Sequence, residues 1–267
     1  MVHNPIIAFF FFLLGTIVGS FTNVLIWRIP RGESIVFPGS HCPKCGAKIK
    51  IYDNIPIISY IVLGGKCRNC GAKISPRYPF VEAFVGIAYL LTYLLYPADA
   101  YIPIIRMVLI LPIFLAISWI DIEHLLIPDE LTISVAVVGI VASFLYGGWR
   151  MLISSLIGAA IGTFAFWIIS VLGKRAFHKE AMGAGDILLI GAIGLLVGWK
   201  NVLLVIFISA FLGAIGGVIT VIMRKAISPK DAEINTAIPF GPFICAATII
   251  VIPFGEKILD WYLELFR

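Results

Sequence analysis

The stretch 5–27, PIIAFFFFLLGTIVGSFTNVLIW, decides the fold class because none of its 23 residues is charged. Roughly 20 apolar residues in a helix are enough to cross the hydrocarbon core of a bilayer. The stretch has neither the basic start nor the small-residue cleavage site of a secretory signal peptide. It therefore predicts a first transmembrane helix that the protein keeps.

The rest of the chain extends this pattern, since 60% of its 267 residues are hydrophobic and only 13% are charged. Soluble domains carry roughly 25% charged residues, and a soluble protein of this size could not bury so much apolar surface. The sequence predicts an all-α polytopic membrane protein with about eight transmembrane helices. The expected spans are 5–27, 79–96, 102–120, 131–147, 152–172, 186–199, 201–223 and 238–254.

The basic residues predict the orientation of the protein in the membrane. Fifteen of the twenty Lys and Arg residues fall in three segments: nine in 28–78, then Lys174, Arg175 and Lys179, then Arg224, Lys225 and Lys230. With eight spans these segments share one side, which the positive-inside rule makes the cytoplasm, so both termini are expected outside. The net charge of +5 is expected to favour contact with an anionic bilayer surface, and it does not indicate binding to nucleic acid.

Four segments follow from this topology. The first helix occupies 1–27, and the polar segment 28–78 is expected to form a small cytoplasmic domain between helices one and two. The segment 79–254 is expected to form a seven-helix membrane domain, and 255–267 an interfacial amphipathic tail. Glycine pairs at 158 and 162 and at 194 and 198 have the GxxxG spacing that permits close helix packing.

The polar segment contains two Cys-x-x-Cys pairs, formed by Cys42, Cys45, Cys67 and Cys70. Four thiolates in two short turns are typical of a closed tetrahedral zinc site. Two disulfides or a redox pair are the alternatives, and a cytoplasmic location disfavours disulfides. Because four sulfur ligands leave no open position, the Zn²⁺ is expected to be structural and to fold this zinc-binding loop.

Two aspartates lie where predicted helices meet the cytoplasmic boundary. Asp121 ends the third span, and Asp186 opens the sixth after Gly183 and Gly185. Ionisable groups at membrane depth are costly and are usually functional. Taken singly, Asp186 could be a helix N-cap and Asp121 an interfacial charge. Taken together, two carboxylates at one depth predict a dyad that shares a proton and activates water without a metal.

The motif Gly183-Ala184-Gly185-Asp186 resembles the GxGD signature of intramembrane aspartyl proteases, and the whole chain is similar to bacterial type IV prepilin peptidases. Matching motifs are spread in order over most of the sequence. They are residues 19–24 (GSFTNV), the cysteine segment with Asn54-Ile55-Pro56, Arg77-Tyr78-Pro79 with Glu82, residues 121–129, residues 182–186 and Pro239-Phe240-Gly241-Pro242.

This resemblance implies a multi-pass protein of the cytoplasmic (inner) membrane. It would cut the basic leader from prepilins and pseudopilins, the precursors used in type IV pili and protein secretion, on the cytoplasmic side. Asp121 and Asp186 would be the catalytic pair, supported by Gly183 and Gly185. Glu123 and Asp129 are second choices, and Asp129 is expected to cap the next helix.

The resemblance also implies a methyltransferase that uses S-adenosylmethionine to methylate the new N-terminal amine. The segment 28–78 contains no glycine-rich nucleotide fingerprint. Asn54, Arg77 and Glu82 are weak candidates for binding this cofactor, and structural support of the zinc loop is an equally good role for them.

Two other classes of function remain open at this point. An ion or proton transporter would also place carboxylates in its helices, but near the middle of the membrane. A zinc-containing membrane scaffold would explain the cysteines and leave the two aspartates without a role.

Overall fold

The computed structural model of the chain describes residues 3–97, 99–177, 182–227 and 238–265, without the side chains of residues 221 and 223–227. Lys179, Lys230 and the last two residues of the predicted tail therefore lie outside the described residues, as do the side chains of Arg224 and Lys225. Seven α-helices are described: α1 (Pro5–Arg28), α2 (Ile58–Val62), α3 (Arg77–Leu95), α4 (Tyr101–His124), α5 (Asp129–Phe177), α6 (Ala184–Ile227) and α7 (Gly241–Glu264).

The prediction of an all-α membrane fold is confirmed. Six of the helices, all except α2, are long and apolar enough to cross a membrane. Among the described residues the only β-pairings are two isolated bridges, both in the cysteine segment.

Helix α5 is not straight, because Gly147 and Gly148 have non-helical backbone angles, with φ of −147° and 59°. The hydroxyls of Ser143 and Ser155 lie 2.7 Å apart across this break. Twelve residues of straight helix would separate them by about 18 Å. The chain therefore folds back on itself at the two glycines, and α5 consists of two limbs, 129–146 and 149–177.

Helix α6 folds back in the same way at Gly198, where φ is 79° and ψ is 172°. The O atom of Ile190 and Cγ2 of Val202 both lie within 3.2 Å of the position that a Cβ on Gly162 would occupy. Residues twelve positions apart can reach one point only if the helix reverses. The folds in α5 and α6 lie where the sequence predicts breaks between spans. They favour eight membrane crossings, and that number stays a prediction.

The limbs of α5 and α6 pack unusually closely because glycines face one another. A Cβ on Gly194 would overlap the backbone of Gly158, and a Cβ on Gly139 would lie 2.7 Å from the N atom of Leu196. Side chains at these positions would hold the helices apart. The close packing predicted from the GxxxG spacing is confirmed for Gly158 and Gly194.

By its internal contacts the chain divides into two compact units, residues 1–116 and 117–267. In the first unit α1 packs on α3: a Cβ on Gly15 would lie 2.7 Å from the O atom of Val85, and the Asn23 side chain donates to the O atom of Tyr78 at 3.1 Å. The cysteine segment leaves the end of α1 and returns to the start of α3. Both of its ends are therefore held by one helix pair.

The second unit ends in α7, which runs through Pro253 to Glu264. The span predicted to end at residue 254 and the predicted amphipathic tail are continuous in α7, because a proline inside an apolar helix is tolerated when neighbouring groups satisfy the freed carbonyl. The four segments expected from the sequence do not coincide with the two units, and their division by function stays a prediction.

Candidate active site

Asp121 lies in the last turn of α4 and is only 5% exposed. The helix ends at His124, and Leu125 follows in the left-handed conformation with φ of 52°. The Leu125 N–H donates to the O atom of Asp121 at 2.8 Å, which closes the helix. The Gly241 N–H, at the start of α7, donates to Oδ2 of Asp121 at 2.8 Å. The carboxylate is therefore fixed by two helix ends.

Asp186 lies in the first turn of α6. Its N–H donates to the O atom of Gly183 at 3.2 Å, which tightens the turn before the helix. Its Oδ1 is buried and accepts no hydrogen bond from the residues that the structure describes. A buried carboxylate oxygen without a donor is costly, and such groups usually serve a ligand or a reaction.

Ile127 brings the surroundings of the two aspartates together. A Cβ on Gly185 would lie 2.9 Å from Cβ of Ile127, and a Cβ on Gly241 would lie 3.3 Å from Cδ1 of the same side chain. The carboxylates of Asp121 and Asp186 also lie close enough to interact through their charges. The structure thus brings together the two residues that the sequence placed at one depth.

The glycines of the motif have different surroundings. Gly185 needs to lack a Cβ because Ile127 occupies the space. Gly183 is exposed, and a Cβ there would lie 3.3 Å from Oδ2 of Asp186. Gly185 therefore serves the packing against Ile127, and the exposed Gly183 leaves the backbone before Asp186 open to close approach by another chain.

Three residues beside the aspartates receive no role from the sequence: Ile127, Gly241 and Cys245. Cys245 is 1% exposed, and its thiol lies close enough to Ser118 and to both aspartates to influence them. The motif that contains Gly241 was a sequence signal for this part of the site. For Ile127 and Cys245 no local pattern indicates the contact.

The four cysteines of the polar segment converge, and all four sulfur atoms lie within 4.8 Å of one another. The Sγ atoms of Cys42 and Cys70 are 3.9 Å apart. Sulfurs around a tetrahedral zinc ion, at about 2.3 Å from the metal, are about 3.8 Å apart. The donor set and its spacing therefore fit zinc.

The two cysteine turns share one geometry because they share one sequence, Cys-x-x-Cys-Gly-Ala-Lys-Ile. Gly46 and Gly71 have φ of 70° and 68°, and each donates its N–H to the first cysteine of its turn at 2.9 Å. This repeat of eight residues is visible in the sequence and could have predicted the symmetry of the site.

Hydrogen bonds also tune and fix the cysteine segment. The backbone at Ala47, and then the Asn69 side chain, lower the pKa of the Cys45 thiol to about 7. Arg68 donates to both oxygens of Asp53, with a shortest distance of 2.7 Å, and its hydrogen bond lowers the pKa of that carboxyl. The second turn is thereby tied to the segment that precedes α2.

The three candidates for binding S-adenosylmethionine have different surroundings, and their role toward the cofactor stays a prediction. Glu82 is 7% exposed, and its Oε2 accepts from the Ile57 N–H at 2.7 Å. That bond holds Ile57 in a left-handed conformation, with φ of 64°, which is rare for a β-branched residue. Asn54 is exposed. Glu82 therefore supports the loop before α2.

Comparisons with known proteins cover most of the chain. Residues 13–96 match the Bacterial Peptidase A24 N-terminal domain, and residues 108–218 match the Type IV leader peptidase family. No solved structure matches the chain.

Several curated proteins are similar over nearly their whole length. A prepilin leader peptidase/N-methyltransferase of Pseudomonas aeruginosa is 35% identical, over 94% of this chain and 92% of its own. A protein of the same name from Stutzerimonas stutzeri is 34% identical, over 96% and 93%. The Type 4 prepilin-like proteins leader peptide-processing enzyme of Escherichia coli is 34% identical, over 89% and 90%. The chain is therefore a multi-pass membrane peptidase that belongs to the type IV leader peptidase family.

Proposed function

We propose that Asp121 and Asp186 are the catalytic dyad of this peptidase. The observation that carries the proposal is the pair itself. The buried Asp121 and the half-buried Asp186 lie on segments that meet at Ile127, and Oδ1 of Asp186 accepts no hydrogen bond from the described residues. Two carboxyl groups held together share one proton, as in aspartic proteases. The unused oxygen of Asp186 is free to accept a hydrogen bond from water or from a peptide.

The chemistry follows from the shared proton. The ionised member takes a proton from a water molecule while the hydroxyl oxygen bonds to the carbonyl carbon of the scissile peptide. The protonated member gives its proton to the carbonyl oxygen, which forms a neutral tetrahedral diol. Breakdown of the diol breaks the C–N bond, passes a proton to the leaving amine and returns one proton to the dyad. The Gly241 N–H holds Asp121 in place during these steps.

The substrate is a pilin-like precursor, as the names of the relatives suggest. The dyad lies at the ends of apolar helices, so the scissile bond lies at the edge of the lipid. The basic segments place that edge on the cytoplasmic face of the inner membrane, with both termini outside.

N-methylation of the new amine is the second proposed activity, favoured by the printed names of relatives that align over the whole chain. S-adenosylmethionine is the expected methyl donor. Zinc, held by the four cysteines, would supply structure to the loop between α1 and α3. Mass spectrometry of the cleaved pilin tests this activity, and a product that stays unmethylated with the donor present would contradict it.

The test of the dyad uses the full chain in detergent with a prepilin substrate. Asp121→Asn and Asp186→Asn are each expected to lower the cleavage rate by about 10²–10⁴-fold, the usual contribution of a general acid or base. Asp260→Asn changes an exposed aspartate of α7 in the same way and is expected to have no effect. Wild-type cleavage by either dyad variant would exclude this mechanism.

The same preparation separates the other two functions. A transporter would move protons or ions in sealed vesicles without cutting the pilin, and a zinc scaffold would bind the pilin and leave it intact. Cleavage that depends on both aspartates excludes each of these as the sole function.

A further inference from the structure

A groove of about 870 Å³ runs along the second unit, within the roughly 300–1,000 Å³ range of ligand-binding pockets. Both limbs of α5 and the first limb of α6 form it. We call it the lateral groove and define it by Asp129, Ala136, Ala160, Trp167, Leu188 and Gly191, which are among its lining residues.

Two of the lining residues of the lateral groove lie within two positions of residues at the dyad, although neither aspartate lines the groove. Leu188 follows Asp186 by two residues on α6, and Asp129 follows Ile127, the residue that contacts Gly185, by two. From Asp129 to Ala136 the groove descends about 10 Å along α5, which is two helical turns. It therefore leads from the depth of the aspartates into the apolar part of the protein.

The groove is lined mainly by apolar and small residues, with Thr132 and Thr163 among them. Ala136 and Ala160 have side chains small enough to let a second backbone approach closely, as in membrane helix pairs. Leu188 is 51% exposed, so this side of the groove faces outward. A polypeptide that enters the lipid at this depth must be an apolar helix, because no other conformation satisfies its backbone there.

The mouth of the groove carries a negative charge and an aromatic wall. The Asp129 carboxylate is exposed and forms no ion pair with any residue that the structure describes. Trp167 is 52% exposed and stacks on Phe164 at 5.9 Å. A carboxylate beside an aromatic face attracts a cation and repels an anionic lipid head group. The charge favours a helix that follows a basic residue over a lipid.

We propose that the lateral groove seats the apolar helix of the substrate, and that Asp129 receives a basic residue on the leader side of the scissile bond. The helix would lie against Ala136 and Ala160, which sets the depth of the peptide bond at the dyad. This inference rests on the proposed peptidase function and names the surface that selects the substrate.

The first test fills the groove. Ala160→Phe is expected to raise KM for a full-length prepilin in nanodiscs about tenfold or more. The larger side chain would remove a few contacts with the substrate helix, and a tenfold weaker affinity corresponds to about 1.4 kcal/mol. A soluble peptide that spans the same bond but lacks the helix is expected to be cleaved as by the wild type. Val141→Phe is the matched control, because Val141 is 51% exposed on α5 and does not line the groove.

The second test measures the charge at the mouth. Asp129→Asn is expected to raise KM for a prepilin with a basic leader and to leave KM unchanged when those basic residues are replaced by glutamine. An equal change for both substrates would overturn the role of Asp129.

The third test measures binding without catalysis, so it stays informative if a filled variant folds poorly. A benzoylphenylalanine at position 160 in an Asp186→Asn background is expected to crosslink to the prepilin helix, and one at position 141 is not. Crosslinks to lipid alone, or equal crosslinking at both positions, would overturn the proposal. Failure of the dyad itself would appear separately, as unchanged cleavage by Asp121→Asn.

Discussion

At the scale of single residues, the backbone of Gly241 donates a hydrogen bond directly to the Asp121 carboxylate, which no side chain does in the part of the chain that the structure describes. The space for that bond exists only because position 241 has no Cβ, which would lie 2.8 Å from Oδ2 of Asp121. The bond joins residues 120 positions apart. It links the orientation of one carboxylate to the start of α7.

Gly241→Ala is expected to lower the rate of prepilin cleavage by about 10- to 100-fold, because a hydrogen bond to a charged group contributes about 1.5–3 kcal/mol. The measurement is the initial rate on a full-length prepilin at saturating substrate. Gly217→Ala is the control, because a Cβ there meets only the end of the Ile238 side chain at 3.2 Å. A wild-type rate for Gly241→Ala would show that the hydrogen bond from α7 to Asp121 is not required for cleavage.

The sequence identifies the aspartates for a physical reason that does not extend to their neighbours. Charge and hydropathy are local properties, so they give the depth of Asp121 and Asp186 without any tertiary contact. The contacts of Ile127 and Cys245 depend on how distant helices approach, and no local pattern records that approach. The GxGD motif does indicate one neighbour of the dyad, because Gly185 and Asp186 are adjacent in the chain.

At the scale of elements, the cysteine segment and the folded helices are stabilised by different means. The cysteine turns are short loops with positive-φ glycines and little apolar surface of their own, so a metal bound by the four thiolates would hold them together. The limbs of α5 and α6 are held by close backbone packing at glycines.

We expect purified protein to contain about one zinc ion per chain, and Cys67→Ser to lose it, because a closed site needs four ligands. Elemental analysis after gel filtration measures the metal, and limited proteolysis within 32–76 reports unfolding of the loop. Cys245→Ala, which changes the cysteine outside the cluster, should retain zinc. Full zinc content in Cys67→Ser would contradict the four-thiolate site.

Gly194→Leu is expected to lower the free energy of unfolding by about 1–3 kcal/mol, because the new side chain would overlap the backbone of Gly158. Thermal unfolding in detergent measures the change. Gly217→Leu lies on the second limb of the same helix, where only a flexible side chain is near, and should have a smaller effect. Equal stability of the two variants would show that the limbs can separate without cost.

At the scale of the whole molecule, the folds in α5 and α6 bear on how many times the chain crosses the membrane. A straight helix of 44 residues would be about 66 Å long, more than twice the roughly 30 Å hydrocarbon core. The glycines at 147, 148 and 198 allow each long helix to cross twice.

Alkaline phosphatase fused after residue 148 or residue 199 is therefore expected to be active, because both positions should lie outside the cytoplasm. Fusion after residue 127, beside the dyad, is expected to be inactive. Enzyme activity in whole cells, normalised to the amount of fusion protein, measures the side. Active phosphatase at 127 would reverse the orientation derived from the basic residues.

The extent of prediction differs between the parts of the molecule for physical reasons. Hydropathy correctly predicts the apolar helices, since the bilayer acts on each span separately. The last predicted span and the predicted tail after residue 254 form one helix, α7, because Pro253 is accommodated within it. The lateral groove had no signature, because Ala136, Ala160 and Gly191 come from three separate limbs.

The repeated cysteine turns also have a consequence for biosynthesis. Cys42 and Cys45 leave the ribosome before Cys67 and Cys70, with 21 residues between the two pairs. One turn supplies only two sulfurs, so the ion can be captured only after the second turn has emerged, while α3 is about to enter the translocon. In zinc-starved cells we therefore expect the nascent chain to be degraded during insertion. Zinc shortage should lower the amount of the protein in the membrane and should not lower the catalytic rate of each remaining molecule.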